Sequence, residues 1–171
     1  EQLSLKQLKN KFMMIDFPQK SPSSLAEQDV LFQRFVNFLM KDGKKSRAHR
    51  LMVDTLEILV QNRISLKKSP NILQEVIEKM QPSFHLRGVR KRGRVQEVPA
   101  ILRIHRKQAL AFRWLLEGAN AKKKRSPKQA FSYHLAKEIM EALGNESLGV
   151  RKRQALHRKV EQNRGSARMR W

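Results

Sequence analysis

The chain has no cysteine, one tyrosine, seven glycines, and only 15 acidic residues against 37 lysines and arginines in 171 positions. These shortages narrow the chemistry. Without cysteine there is no disulfide, no thiolate zinc site and no cysteine nucleophile, and the redox compartment stays open. No apolar run nears the ~18 residues of a membrane span. There is no glycine-rich phosphate loop and no GxSxG, and few carboxylates stand ready for acid–base work. The five histidines, His49, His85, His105, His134 and His157, are scattered, with no i,i+4 partner and no HExxH. Neither an enzyme nor a metal or other cofactor is expected.

What is present is cationic. The formal net charge is +22 and the sequence pI near 11.2. Such a surface strains against its own repulsion until a polyanion neutralises it. Nucleic acid is the first partner implied and an anionic membrane the second. With 40% apolar and 30% charged residues, the chain reads as folded with a polar surface, and its length suits one domain with its own core.

Residues 1–28 read as a mobile basic N-terminal arm, and "FPQKSPSS" within them has linker composition. Residues 29–171 read as a single helical domain. Helical periodicity starts at Val30, with Leu31, Phe35 and Leu39 on a face shared with Phe32 and Val36. Gly43 is the expected stop, and Ser46 the expected cap of a second helix carrying Leu51, Met52, Leu56, Leu59 and Val60. Ser69-Pro70 then reads as the start of a short helix with Ile72, Leu73, Val76, Ile77 and Met80 inward, stopped by Pro82. Period-two patterning over residues 84–104 predicts a β-hairpin with Gly93 in its tip and Pro99 confining the second strand to an edge.

"HRKQALAFRWLLEGANAK" (105–122) is apolar round most of its circumference, which predicts a central buried helix with Trp114 in the core. "KKKRSP" reads as a charged connection ending in a Ser-Pro helix start. Phe131, Leu135, Ile139 and Leu143 mark the next helix, closed by Gly144-Asn145. The segment from Val150 is helical in propensity with little apolar surface, and so belongs on the outside or against a partner. The expected fold is mainly α: about six helices with one protruding basic hairpin and no internal repeat.

The hairpin tip "RGVRKRGR" holds five cations in eight residues: Arg87, Arg90, Lys91, Arg92 and Arg94. A solvated turn would tolerate them. Arginine forks, however, match phosphate oxygens bidentately, and counterion release rewards each phosphate neutralised, so a finger reaching into RNA or DNA is the stronger reading. Alternation places Arg87 and Lys91 on one face, and Arg90, Arg92 and Arg94 on the other. At the helix start after Gly43, Lys44, Lys45 and Arg47 fit an anion site and fit an ordinary exposed helix start equally well. Trp171, behind Arg168 and Arg170, is either a frayed terminus or an indole free to stack on bases.

Taken together, "NFLMKDGKKSRAH", "VPAILRIHRKQALAFRWLLEGA" and "RKRQALHRKVEQNRGSARMRW" resemble ribosomal protein seven of the small subunit, in the same order and near-identical spacing from about Leu31 to Trp171. The resemblance implies a helical fold with a protruding hairpin, binding to the 3′ major (head) domain of small-subunit rRNA, and an early role in head assembly. It also implies that the hairpin and C-terminal helix line the messenger exit path by the transfer RNA exit site, beside neighbouring ribosomal proteins of the head and platform. The candidate rRNA-facing residues are Lys44, Lys45, Arg47, Arg87, Arg90, Lys91, Arg92, Arg94, Lys152, Arg153 and Arg164, with Lys122, Lys123, Lys124 and Arg125 of the charged connection. Arg92, Gly93, Arg168, Arg170 and Trp171 fall towards the exit site.

Two features depart from the family. Its hairpin often carries two adjacent glycines at the tip, where this chain has Arg92 and Gly93. Its bacterial members have a basic N-terminal pattern where this chain has "SPSSLAEQD". With Glu1 rather than Met in first place, these lead to the expectation of an organellar ribosome, mitochondrial before plastid, with a bacterial cytoplasmic ribosome as the alternative. The competing function is an architectural DNA-binding protein with an Arg-rich β-arm, although the tip lacks an apolar wedge. Membrane binding is weaker, since the core claims the apolar helix faces.

Overall fold

A computed structural model of the chain describes residues 24–62, 72–91 and 93–168. Among them, six helices and one antiparallel two-stranded sheet follow in the order α1 (Ser24–Leu39), α2 (Lys45–Gln61), α3 (Ile72–Met80), β1 (Phe84–Lys91), β2 (Arg94–Ile101), α4 (Ile104–Arg125), α5 (Phe131–Leu143) and α6 (Leu148–Gln162), closed by a 3-10 turn at Arg164–Arg168. The mainly α architecture with a single hairpin is the one expected. The Ser69-Pro70 helix start lies outside the described residues.

The core forms where the apolar stripes of the helices meet. Phe35 and Val36 of α1, Met52 and Leu59 of α2, Val76 and Met80 of α3, Phe112 and Leu115 of α4, and Leu135 and Ile139 of α5 are all at most 1% exposed and belong to one cluster. Phe112 sits between two rings of α1, with centroids 5.3 Å from Phe35 and 5.2 Å from Phe38. These separations suit edge-on and tilted aromatic packing, worth roughly 0.5–1.5 kcal/mol beyond area burial. α6 adds only Val150 to the cluster and buries little else, as its sparse apolar content predicts.

Several local expectations are corrected. α1 starts at Ser24, inside the segment read as an arm, because Ala26, Glu27 and Gln28 are strong helix formers that extend the pattern upstream. α2 begins at Lys45, with Lys44 in the capping position and no side-chain cap bond, so Ser46 is not the cap. The reversal before it is backbone-driven: Asp42 and Gly43 take φ of 53° and 71° in succession, and the second costs nothing without a Cβ. The charged stretch Lys122–Arg125 is not a connection but the last turn of α4. Lysine and arginine are good helix formers, and cations complement the C-terminal end of the dipole. Ser126 and Pro127 fall in the link, and α5 starts later, at Phe131 behind Ala130.

α4 is also less enclosed than its composition predicts. Ala111, Phe112, Leu115, Gly118 and Ala119 are buried, but Arg113, Glu117 and Asn120 face solvent and Trp114 is only half-buried against the cluster. At the close of α5, Gly144 has an ordinary φ of −79°, and it is Asn145, at φ 64°, that takes the left-handed position.

One ionic group is built into the centre. Glu138 of α5 is fully buried, pairs with Lys122 of α4 at 2.6 Å, and accepts a hydrogen bond from the Leu148 N–H at 3.1 Å. Lys122 also reaches Glu141. A Cβ at position 118 would collide with the Glu138 carboxylate, so glycine there lets α4 approach α5 closely enough for the pair to form. Removing one partner of a buried pair strands the other charge at a cost of about 3–5 kcal/mol. Lys122→Gln, which leaves the fully buried Glu138 carboxylate without its cation, should therefore lower unfolding stability by an amount of that order and show little relief at high salt. An unchanged urea midpoint would contradict this role.

Candidate nucleic-acid interface

The hairpin begins with its register. β1 and β2 pair from Phe84↔Ile101 to Lys91↔Arg94, leaving a two-residue turn. Gly93 in that turn has φ of 80°, the left-handed conformation such tight hairpins demand. Residues opposite one another across an antiparallel pair share a face. Position 94 is opposite position 91, so Arg94 falls on the face of Arg87, and Arg90 lies on the other with Val95. This corrects the expected grouping of Arg94 with Arg90. Arg87, Arg90, Gly93 and Arg94 are exposed; Arg92 lies outside the described residues.

The base of the hairpin is held from one side by the C-terminal elements. His157 of α6 accepts from the Ser83 N–H at 3.3 Å, and Gln96 of β2 donates to Ser166 of the 3-10 turn at 3.1 Å. Val98 of β2 is buried. The strands are thus anchored at their root while their arginines stay in solvent. Arg164 and Arg168, both exposed, lie at the two ends of the same 3-10 turn. Lys152 of α6 is paired with Glu117 of α4, and Arg153 is half-buried with its Nε meeting no partner among the described residues. Arg170 and Trp171 are outside the described residues.

A second cationic region forms where the start of α2 faces the end of α4. Lys44, Lys45, Arg47, Lys123, Lys124 and Arg125 are exposed. Lys44, Arg47 and Lys123 border one groove of about 330 Å³, together with Lys41, which sequence reasoning passed over. Lys123 also lies over the Phe131 ring, 5.7 Å from its centroid. Lys122 differs from its neighbours, being committed inward to Glu138 and Glu141. Helical spacing carries the signal: Lys122 falls on the face of Gly118, Ala119 and Leu115, which is the core side.

The structure thus brings two of the sequence-derived clusters together around a groove and joins a third, the hairpin, to the C-terminal segment. It also exposes Arg103 and Arg106 beside the hairpin root, and Arg151, Arg158 and Lys159 along α6, positions that short-motif reading does not single out. Among the described residues no three His, Asp or Glu side chains gather as a metal site, and no helix is long and apolar enough to cross a membrane.

These features define a class: a helical module, low in carboxylates, with most of its described cations facing outward. Residues 11–164 match the family described as Ribosomal protein S7p/S5e. The small ribosomal subunit protein uS7 of Thermosipho melanesiensis is 35% identical over 153 residues, 89% of this chain and 94% of that protein. The proteins of the same name from Desulfotalea psychrophila and Colwellia psychrerythraea are 37% and 35% identical over 142 and 141 residues, covering 83% and 82% of this chain and 87% and 86% of theirs. The chain belongs to the Ribosomal protein S7p/S5e family, a structural and non-enzymatic one.

The two kinds of lysine on the last turn of α4 should separate experimentally. Lys122→Gln should lower stability while leaving the salt dependence of RNA binding nearly intact. Lys124→Gln with Arg125→Gln should keep the unfolding midpoint and reduce the salt slope by about 0.7–0.9 for each phosphate left unneutralised. The reverse pattern would refute this division.

Proposed function

We propose that the chain binds the 3′ major, or head, domain of small-subunit rRNA, helps to organise the head, and lines the messenger exit path next to the transfer RNA exit site. Family membership carries the coarser part: the chain is a structural constituent of the small ribosomal subunit that binds rRNA and sits among other small-subunit proteins. The observation supporting the finer reading is the hairpin. It is rooted on α6 and the 3-10 turn, and it carries exposed Arg87, Arg90 and Arg94, with no acidic side chain directly opposite Arg90 or Arg94 in the register.

In this reading two cationic regions act together. The α2 start and α4 end, with Lys44, Lys45, Arg47 and Lys123–Arg125, grip backbone phosphates of the rRNA, and the hairpin reaches between RNA segments. Gly93 at the tip, with Arg92, Arg168, Arg170 and Trp171, belongs to the exit-site side, where messenger RNA and the exit-site transfer RNA pass. Lys152 and Arg153 sit on α6 between that side and the core. A groove-entering DNA arm fits less well, since the tip offers charge and glycine but no apolar wedge to unstack a base step.

We place the assembly in an organellar ribosome, the mitochondrial one first. The support is the unusual "SPSSLAEQD" segment and an identity to bacterial relatives of only 34–37%.

Binding of the full chain to a small-subunit rRNA fragment, measured across a salt series, tests the hairpin role. Replacing Arg90, Lys91, Arg92 and Arg94 by Ala should preserve the helical signal and flatten the log K against log salt slope by roughly 0.7–0.9 for each phosphate that no longer meets a cation. An unchanged slope, or equal affinity of the parent chain for duplex DNA, would overturn it. For location, ribosomes fractionated from the source cells should carry the chain with the organellar particles. Recovery with cytosolic or bacterial ribosomes alone would reject the organellar reading.

A further inference from the structure

The groove beside the α1–α2 turn combines features that simple phosphate binding does not require. Its wall includes the ring of Phe38, 37% exposed, and that of half-buried Phe131. The Phe38 ring is backed by Phe112 at 5.2 Å, which fixes the orientation of its outer surface. Asn120 of α4 lines the groove with an exposed amide, a group holding two donors and an acceptor. The charged lining is four cations, Lys41, Lys44, Arg47 and Lys123, against one carboxylate, Asp42. None of the four cations makes an ion pair among the described residues.

Size narrows the occupant. A volume of about 330 Å³ lies at the low end of small-ligand sites, roughly 300–1,000 Å³. Neither an RNA duplex nor a packed helix enters such a space. An unpaired nucleotide has an anionic phosphate, a flat π face and a heteroatom edge, and the groove has a counterpart for each: cations, rings and an amide. Stacking on aromatic side chains is how proteins hold splayed-out RNA bases. An inorganic anion would leave the rings and the amide unused.

We propose that this groove receives a single unpaired nucleotide of the bound RNA, with its phosphate between Lys44 and Arg47, its base against Phe38, and Asn120 at the base edge. The proposal rests on the RNA-binding reading above and adds to it a site that reads one extruded base. The two clusters flanking the groove then become one device: the helix start holds the backbone and the aromatic wall holds what the backbone turns out.

The test uses the full chain, labelled for NMR and titrated separately with adenosine 5′-monophosphate, ribose 5-phosphate and inorganic phosphate. Adenosine 5′-monophosphate should shift the Asn120 side-chain amide and the Leu116 signals, at concentrations about tenfold below those ribose 5-phosphate needs. Asn120→Ala and Phe38→Leu should each erase most of that preference and leave the response to ribose 5-phosphate alone. Lys44→Gln should weaken all three ligands. Equal affinity for the three would reduce the groove to an anion patch and overturn the proposal, as would tighter competition by a glutamate-rich hexapeptide. If the groove ignores the nucleotide while a small-subunit rRNA fragment still binds with a steep salt slope, this proposal fails and the RNA-binding reading survives. If the fragment does not bind either, both fail.

Discussion

The chain carries 37 cationic side chains against 15 acidic ones, and the fold is arranged around that imbalance. Repulsion of this kind opposes compaction, so the few carboxylates must act where they hold the fold best. Glu138 is fully buried between α4 and α5 and also receives the first turn of α6. Glu141 joins it at Lys122, Glu117 ties α4 to α6 through Lys152, and Glu75 with the Leu143 carbonyl fixes Lys79 between α3 and α5. Three of the acids, Glu117, Glu138 and Glu141, staple one helix to another. Among the described residues the outward cations, Lys44, Arg47, Arg90, Arg94, Lys123 and Lys124 among them, far outnumber the exposed acids and suit a polyanionic partner.

The hydrophobic core and the cationic surface are separate layers joined by a few elements. α4 is the main one: its Phe112 and Leu115 lie in the core, its Asn120 and Lys123 line the groove, and its start adjoins the hairpin root. α6 is another, anchored by Val150 at one end and carrying His157 against Ser83 further along. Rigid scaffolding beneath exposed charge lowers the ordering cost that flexible basic tails meet on binding RNA. A family of structural ribosomal proteins is a natural owner of such an arrangement, since its task is to hold a polyanion in a fixed shape.

Much of this is legible in residue order. Periodicity locates α2, α3 and α5 and the whole buried face of α3. Of the stripes read on α2 and α5 only Met52, Leu59, Leu135 and Ile139 are buried, because small and polar residues such as Ala48, Thr55, Ala136 and Glu138 share those faces. The hairpin is legible from alternation and from Gly93. Its faces are not: parity counted along the chain puts residues 90, 92 and 94 together, but a two-residue turn places 91 opposite 94 and exchanges the grouping. The run Lys122–Arg125 reads as a loop because charge suggests solvent, whereas its propensity and the dipole extend α4 through it. Least visible is the groove, whose walls come from α1, α2, α4 and α5. Phe38 looks like an ordinary core residue until the packing leaves it 37% exposed at the groove, and Phe131, also in the groove wall, carries Lys123 over its ring.

The central claim is that the fold uses some of its cations internally and reserves the rest for RNA. Lysine acylation, read residue by residue on the free chain and on the chain inside intact small subunits, measures that division directly. Lys44, Lys123 and Lys124 should react freely in the isolated protein and become protected in the subunit, while Lys122 should react slowly in both. Equal reactivity of the three in both states, with no protection by the subunit, would contradict the account.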